Sequence, residues 1–241
     1  MSNNSFSFRQ FTIEQDRCAM KVGTDGTLLG AWASLPEPTA TTPRLLDIGT
    51  GTGLIALMLA QRFPEAVVDA IDIDKAAVRQ SRENVSRSPF ASRIKVLHTS
   101  LQHFCQQTDL TYDAIVCNPP FFHHALICPE KERAVARHTV SLDFHTLFTC
   151  AAKMLSPKGH FSVIIPVSER REMEQAAALS SLFLVRETLF FTSPKKPAKR
   201  LLLTFSPSRF TSFSPTLLPC STITLGDATY QQLTHDFYLH G

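Results

Sequence analysis

No C-x-x-C pair occurs in the 241-residue sequence, although it holds six cysteines, at positions 18, 105, 117, 128, 150 and 220. They sit mostly inside apolar stretches, so they read as reduced core thiols, and no disulfide framework is implied. No basic leader feeding an apolar core is found in the opening "MSNNSFSFRQ", and the strongest apolar stretch, "LIALMLA", is broken by Gln61 and Arg62. The expectation is a cytoplasmic protein without a membrane span. There is no internal repeat and no large excess of charge. The formal net charge of +3 is too small to establish a polyanionic partner, but "KKPAKR", residues 195–200, gathers four positive charges. With 44% hydrophobic and 19% charged residues the chain lacks the signature of disorder, and its length fits one large α/β domain with a single core.

The remaining sequence alternates between two patterns. "RLLDI" (44–48), "VVDAI" (67–71), "IKVLH" (94–98), "YDAIV" (112–116) and "HFSVII" (160–165) are short and rich in strand formers. Between them "GLIALMLAQRF", "DKAAVRQSRENVSR", "SLDFHTLFTCAAKML" and "SERREMEQAAALSS" read as helices, with Ser141 and Ser168 as candidate N-caps and Pro157-Lys158-Gly159 as the exit of the third. This alternation predicts a parallel sheet with helices on both faces. "LFLVRETLFF" and "RLLLTFS" then suggest a hairpin whose loop is basic. Ahead of the first strand, "FSFRQFTIEQD" suggests a small ribbon, "TDGTLLGAWA" a short helix and "EPTATTP" a linker. The Ser-, Thr- and Pro-rich tail leads to a final helix at "DATYQQLTHDFYL".

In "LLDIGTGTGLIALML", Asp47 precedes Gly49, Gly51 and Gly53 between a strand and a helix, at the carboxyl edge where open α/β sheets bind ligands. Glycines let the backbone take positive φ and approach a ligand with no Cβ between them. A dinucleotide fingerprint has G-x-G-x-x-G spacing. Here the glycines alternate and a carboxylate precedes them, which repels phosphate and suits an ammonium or sulfonium. "AIDID" ends the next strand with Asp72, an acceptor pair for ribose hydroxyls. The combination points to an adenosyl ligand with a cationic tail.

These residues resemble the cofactor-binding half of the class I S-adenosylmethionine-dependent methyltransferases. The resemblance implies a Rossmann-like α/β fold with a seven-stranded, mostly parallel sheet of order 3-2-1-4-5-7-6 and helices on both faces. It implies S-adenosylmethionine as cofactor, with Asp47, Gly49, Gly51 and Gly53 around its methionine part and Asp72 on its ribose. Many members carry an aspartate after strand three that contacts adenine. This chain has Ser100 there, whose hydroxyl can still accept a hydrogen bond.

The strand "DAIVC" runs directly into "NPPFF" at the same sheet edge. An exocyclic amine is a poor nucleophile because its lone pair is conjugated with the ring, so acceptors aimed at its N–H protons favour transfer. Asn118 and the Pro119 carbonyl can supply them, Pro119 and Pro120 stiffen the turn, and Phe121 can stack on an extruded base. Asn118 thereby borders both cofactor and acceptor. N-P-P-[FY] resembles the motif of amino-methyltransferases acting on adenine, on the guanine exocyclic amine or on protein glutamine.

Length leaves no room for a DNA target-recognition domain, so sequence-specific DNA is not expected. "RCAMKVGTDGTLLGAWA", with the glycine turn, "NPPFF" and the closing "FYLHG", is similar to the bacterial transfer RNA (adenine-N6) methyltransferases that modify adenine 37 beside the valine anticodon. That likeness runs over nearly the whole chain. It implies a single domain over 1–241, with residues 1–35 as a lid in which Lys21, Gly23, Thr24, Asp25 and Gly26 lie near the cofactor, and with 207–241 as a tail on the sheet. Lys195, Lys196, Lys199 and Arg200 would face an RNA backbone, joined by Arg133, Arg137 and His138 from the stretch after "NPPFF". His123, His124, His138 and Cys128 lack zinc-ligand spacing, so no metal is expected. The expected protein is a monomer or weak self-associate. Ribosomal-RNA guanine or a release-factor glutamine remain open as substrates, as does a non-catalytic RNA-binding module that kept the fold.

Overall fold

The computed structural model describes residues 4–18, 21–36, 42–119, 142–208 and 220–239. An antiparallel hairpin of β1 (Ser5–Ser7) and β2 (Thr12–Glu14) comes first, followed by helix α1 (Thr24–Trp32). Four strands then alternate with helices: β3 (Arg44–Ile48), α2 (Leu54–Arg62), β4 (Val67–Asp72), α3 (Lys75–Ser86), β5 (Ile94–His98), α4 (Leu101–Gln107) and β6 (Tyr112–Cys117). Helix α5 (Phe144–Met154), β7 (Leu155–Pro166), α6 (Arg170–Leu179), β8 (Phe183–Phe191), β9 (Arg200–Ser206), β10 (Cys220–Thr224) and α7 (Ala228–Thr234) complete it.

The main sheet has the order β10-β8-β9-β7-β6-β3-β4-β5. Counting from β3, its first seven strands follow the expected 3-2-1-4-5-7-6 order, with β9 antiparallel between β7 and β8. The seven-strand expectation needs one correction: β10 adds an eighth strand, parallel to β8, with Cys220 opposite Glu187. Its sequence, "CSTIT", is β-branched enough to pair, but it follows a proline-rich tail that masks the signal.

Adjacent residues on each central strand point to opposite faces, and each face has its own core. Leu45, Val116, Ile164 and Leu202 pack with α1, α2 and α7, whereas Leu46, Cys117, Ile165 and Leu201 pack with α4, α5 and α6. Burial on both faces explains why these strands read as continuous apolar runs. Strand order reverses at β3, with β4 on one side and β6 on the other. Ile48 pairs with Cys117, so the glycine turn and Asn118 leave neighbouring strands side by side at the switch point.

Local punctuation differs in places. Asp143 caps α5 by accepting from the Thr146 amide, and Ser141 lies outside the described residues. Ser168 sits within a short 3-10 turn before α6 and does not cap it. Pro157-Lys158-Gly159 is absorbed into β7, which starts directly after α5. Gly23, with extended backbone, is the N-cap of α1 and makes no side-chain cap, so Thr24 is the first helical residue. The final helix is present as α7, capped by Asp227. Among the described residues no helix is long and apolar enough to cross a membrane.

Candidate active site

The turn after β3 is built on left-handed backbone: Gly49, Gly51 and Gly53 have φ of +70°, +55° and +86°. A Cβ added at Gly49 or Gly51 would meet no atom within 4 Å, whereas one at Gly53 would lie 2.8 Å from the Ser81 hydroxyl. The first two glycines therefore border open space, and the third permits close packing of α2 against α3. The amides of Gly49 and Thr50 both donate to the Ile71 carbonyl, which ties the turn to β4.

Two carboxylates hold this turn. Asp47 is fully buried, and its Oδ2 accepts from the Thr50 hydroxyl at 2.6 Å and the Ala56 amide at 3.1 Å. Its Oδ1 is buried with no partner, and burial raises its pKa to about 7 against the pull of those two hydrogen bonds. Asp72 accepts from the Gly51 amide at 2.8 Å and from the Asp74 amide at 2.8 Å; burial, first, and Asp74 raise its pKa. Ser100 caps α4, its Oγ accepting from the His103 amide at 3.1 Å, which leaves its hydroxyl proton free to donate. Between Asp72 and Asp74 the side chain of Ile73 is 53% exposed.

On the neighbouring strand Cys117 is buried, with its thiol pushed far up by burial and by Asp47 and Asp72. Asn118 is half-buried and Pro119 buried. Gly26, in the first turn of α1, backs onto Leu54 and Asn118: a Cβ there would lie 3.2 Å from Leu54 Cδ2 and 3.9 Å from Asn118 Nδ2. Thus the N-terminal segment does reach the edge that carries Asn118. Lys21 is exposed. Cys18, its thiol raised to about 11 by burial and by Asp72, Asp74 and Asp16, borders the same acids. Asp25 and Arg200, which the sequence suggests for different ligands, form one ion pair of 2.7 Å. Lys195, Lys196 and Lys199 are exposed on the β8–β9 loop, which the topology brings to the same edge as Asn118. Pro120, Phe121, Phe122, His123, His124, Cys128, Arg133, Arg137 and His138 lie outside the described residues.

Sequence reasoning missed Asn84. Its buried amide accepts from the Glu14 amide and donates to the Glu14 and Thr52 carbonyls, so one side chain on α3 joins the N-terminal segment to the glycine turn. An asparagine inside an amphipathic helix, on its buried face, was the available signal.

Residues 32–190 match the family model described as the methyltransferase small domain. The chain belongs to this family. The matched range of the methyltransferase runs from the end of α1 to β8, and so includes the glycine turn, Asp72 and Asn118. Curated relatives extend the likeness to both ends. The tRNA1(Val) (adenine(37)-N6)-methyltransferase of Phocaeicola vulgatus is 46% identical over 100% of this chain and 100% of its own length. The protein of the same name from Parabacteroides distasonis is 48% identical over 86% of this chain and 85% of its own length. Among solved structures, a predicted O-methyltransferase from Agrobacterium tumefaciens superposes with a TM-score of 0.65 at 19% identity, covering 88% of this chain and 96% of its own, a likeness of fold.

Proposed function

We propose that this methyltransferase transfers a methyl group from S-adenosylmethionine to the N6 amine of adenine 37 in the anticodon loop of valine tRNA. The observation that carries the reading is the register Ile48 opposite Cys117, which sets the glycine turn and the Asn118-Pro119 amide acceptors side by side. The names carried by relatives of 46–48% identity support the choice of adenine and tRNA.

The residues present fit the cofactor. The orphaned, buried Oδ1 of Asp47 gains from a nearby cation, and the open faces of Gly49 and Gly51 admit a ligand against the backbone. Asp72 keeps lone pairs on both oxygens for ribose hydroxyls, and Ile73 offers exposed apolar surface to an adenine ring. S-adenosylmethionine supplies an electrophilic methyl group on a sulfonium, so the protein need not activate the donor.

The acceptor side follows from the turn after β6. The Asn118 amide oxygen accepts one amine proton and the Pro119 carbonyl the other, drawing the nitrogen toward a tetrahedral geometry with its lone pair free. Proline fixes φ and holds these acceptors still. The methylated nitrogen is cationic and releases its proton to water, so no strong base is required. Pro120 and Phe121, the next residues of the motif, are assigned to stiffening and to stacking on the base. Lys195, Lys196 and Lys199 bind phosphates, as do Arg133, Arg137 and His138, which orients the RNA without reading bases. Lys21 and Thr24 belong to the lid, in a single domain with residues 1–35 as lid and 207–241 as tail. The protein works in the cytoplasm as a monomer or weak self-associate and does not act on DNA.

The test incubates the protein with labelled S-adenosylmethionine and, separately, unmodified tRNA, ribosomal RNA and release factor, followed by mass spectrometry of the product. N6-methyladenosine in valine tRNA alone is expected; label in another acceptor would reject the assignment. Asn118→Ala is expected to lower turnover at least about 100-fold, the scale of removing an acceptor made for the transition state, with cofactor affinity nearly unchanged.

A further inference from the structure

We propose that Asp25 and Arg200 form a latch that positions the first turn of α1 against Asn118 and couples the basic β8–β9 loop to the methyl-accepting turn. Neither residue then contacts cofactor or RNA as its main role; each acts through the other. The inference rests, for its kinetic consequence, on the amino-methyltransferase reading.

Arg200 is anchored on the sheet side. It opens β9, in register with Pro166 at the end of β7 and with Phe190 of β8, and the Lys199 amide donates to the Phe190 carbonyl just before it. Its Nε donates to Asp25 Oδ2 at 2.7 Å, with the two side chains 18% and 29% exposed. A short, charge-assisted contact removed from most of the solvent is less screened than a surface pair. On the other side, α1 begins at Gly23 with no side-chain cap, so its first turn lacks the usual anchor. Asp25 supplies one by reaching across to the sheet. The next residue is Gly26, which packs on Leu54 and approaches Asn118 without a Cβ between them. A displacement of the first turn of α1 therefore alters the surface that faces the Asn118 amide.

The same pair roots the loop that carries Lys195, Lys196 and Lys199. Force on that loop from a bound polyanion is thus delivered first to Arg200 and then, through Asp25, to the residue beside Asn118. Independent ligand contacts predict something different: Asp25 would act on cofactor binding and Arg200 on RNA binding, each without reference to the other.

The experiment compares Asp25→Asn, Arg200→Gln, the double variant and Arg200→Lys. Steady-state methyl transfer to tRNA is read as kcat and as KM for each substrate, and amide exchange is followed over residues 24–29. Each single neutralisation is expected to lower kcat about tenfold, a usual coupling for residues in contact, with the cofactor KM changed less than about twofold. The double variant is expected to match the singles, because the Asp25–Arg200 contact is already lost in either one. Arg200→Lys keeps the charge and is expected within about threefold of wild type. Exchange in the first turn of α1 is expected to accelerate about tenfold in both singles. Losses that multiply to about 100-fold in the double variant, an unchanged kcat in either single, or unaltered exchange would each overturn the latch. Absence of any tRNA methylation by the wild-type protein would instead sink the functional reading, and the exchange measurement would still decide the latch.

Discussion

Gly51 and Gly53 both have positive φ, but alanine is expected to cost mainly binding at the first and mainly stability at the second. At Gly51 the added Cβ meets nothing within 4 Å, so the folded protein bears only the left-handed backbone cost, about 1–2 kcal/mol. A less flexible unfolded chain offsets about 0.4–1 kcal/mol of that. The net loss is about 1 kcal/mol, or ~3 °C in Tm for a chain of this size. At Gly53 the same backbone cost is joined by a Cβ placed 2.8 Å from Ser81 Oγ, a hydroxyl that is buried and lacks a partner. Overpacking of this kind adds about 1–3 kcal/mol, so Gly53→Ala is expected to lower Tm by about 5–10 °C. Adding Ser81→Ala removes the opposing oxygen and should recover about half of that loss, since an orphaned hydroxyl also leaves the interior. Binding runs the other way. The proposed cofactor site lies in the space beyond Gly51, so Gly51→Ala should weaken S-adenosylmethionine at least about 30-fold, or ~2 kcal/mol, despite its small stability cost. Differential scanning calorimetry and isothermal titration read the two quantities separately. Normal cofactor affinity in Gly51→Ala would refute the placement of the ligand against this turn.

Asp72→Ala removes the acceptor of the Gly51 amide and of any ribose hydroxyl, and is expected to raise the cofactor dissociation constant about 100-fold; unchanged calorimetric binding would exclude that role. Asp47 binds more protons folded than unfolded between pH 3.8 and about 7, so stability falls as pH rises through that window and levels off above it. Its contribution is at most about 4 kcal/mol, and Tm against pH should be flatter in Asp47→Asn; identical profiles would count against it. Replacing Lys195, Lys196 and Lys199 with glutamine should weaken RNA binding and reduce the slope of log affinity against log salt by about 2–3; an unaltered slope would put the RNA elsewhere.

Elements whose residues carry their own pattern were legible in the sequence. Strands β3, β4, β6 and β7 read as apolar runs because both sheet faces are covered there, and the alternating glycines declare a left-handed turn between β3 and α2. Asp72 was legible because it ends a strand at the carboxyl edge. Contacts that close over long separations were not. Asp25 and Arg200 meet across 175 residues, and Asn84 reaches Glu14 across 70, so no local spacing announces either. β10 was missed for a related reason: its pairing with β8 is created by an edge that exists only once the sheet is assembled. The extent of β7 was misread because Pro157 and Gly159 usually end elements, yet its first residues lie where the pairing with β6 is irregular.

The two acids at the cleft differ in the way they serve the turn. Asp47 is sealed beneath it, with one oxygen engaged by Thr50 and Ala56, and so fixes the path of the backbone from below. Asp72 stands half-buried at its side, with both oxygens bonded to amides yet the side chain not sealed from solvent. Neither is free to act as a general base toward an amine at Asn118 without giving up the turn. The neighbouring Cys117 thiol is held protonated by burial first and then by these same acids. On the proposed reading, acceptor chemistry at this edge falls to uncharged oxygen, the amide of Asn118 and the carbonyl of Pro119, neither of which titrates near neutral pH. An amine already nucleophilic at neutral pH would gain little from such a site. A conjugated nitrogen, whose N–H protons must be drawn out of plane before its lone pair can attack, gains most, and this argues for a nucleobase amine or a carboxamide at the turn over an aliphatic amine.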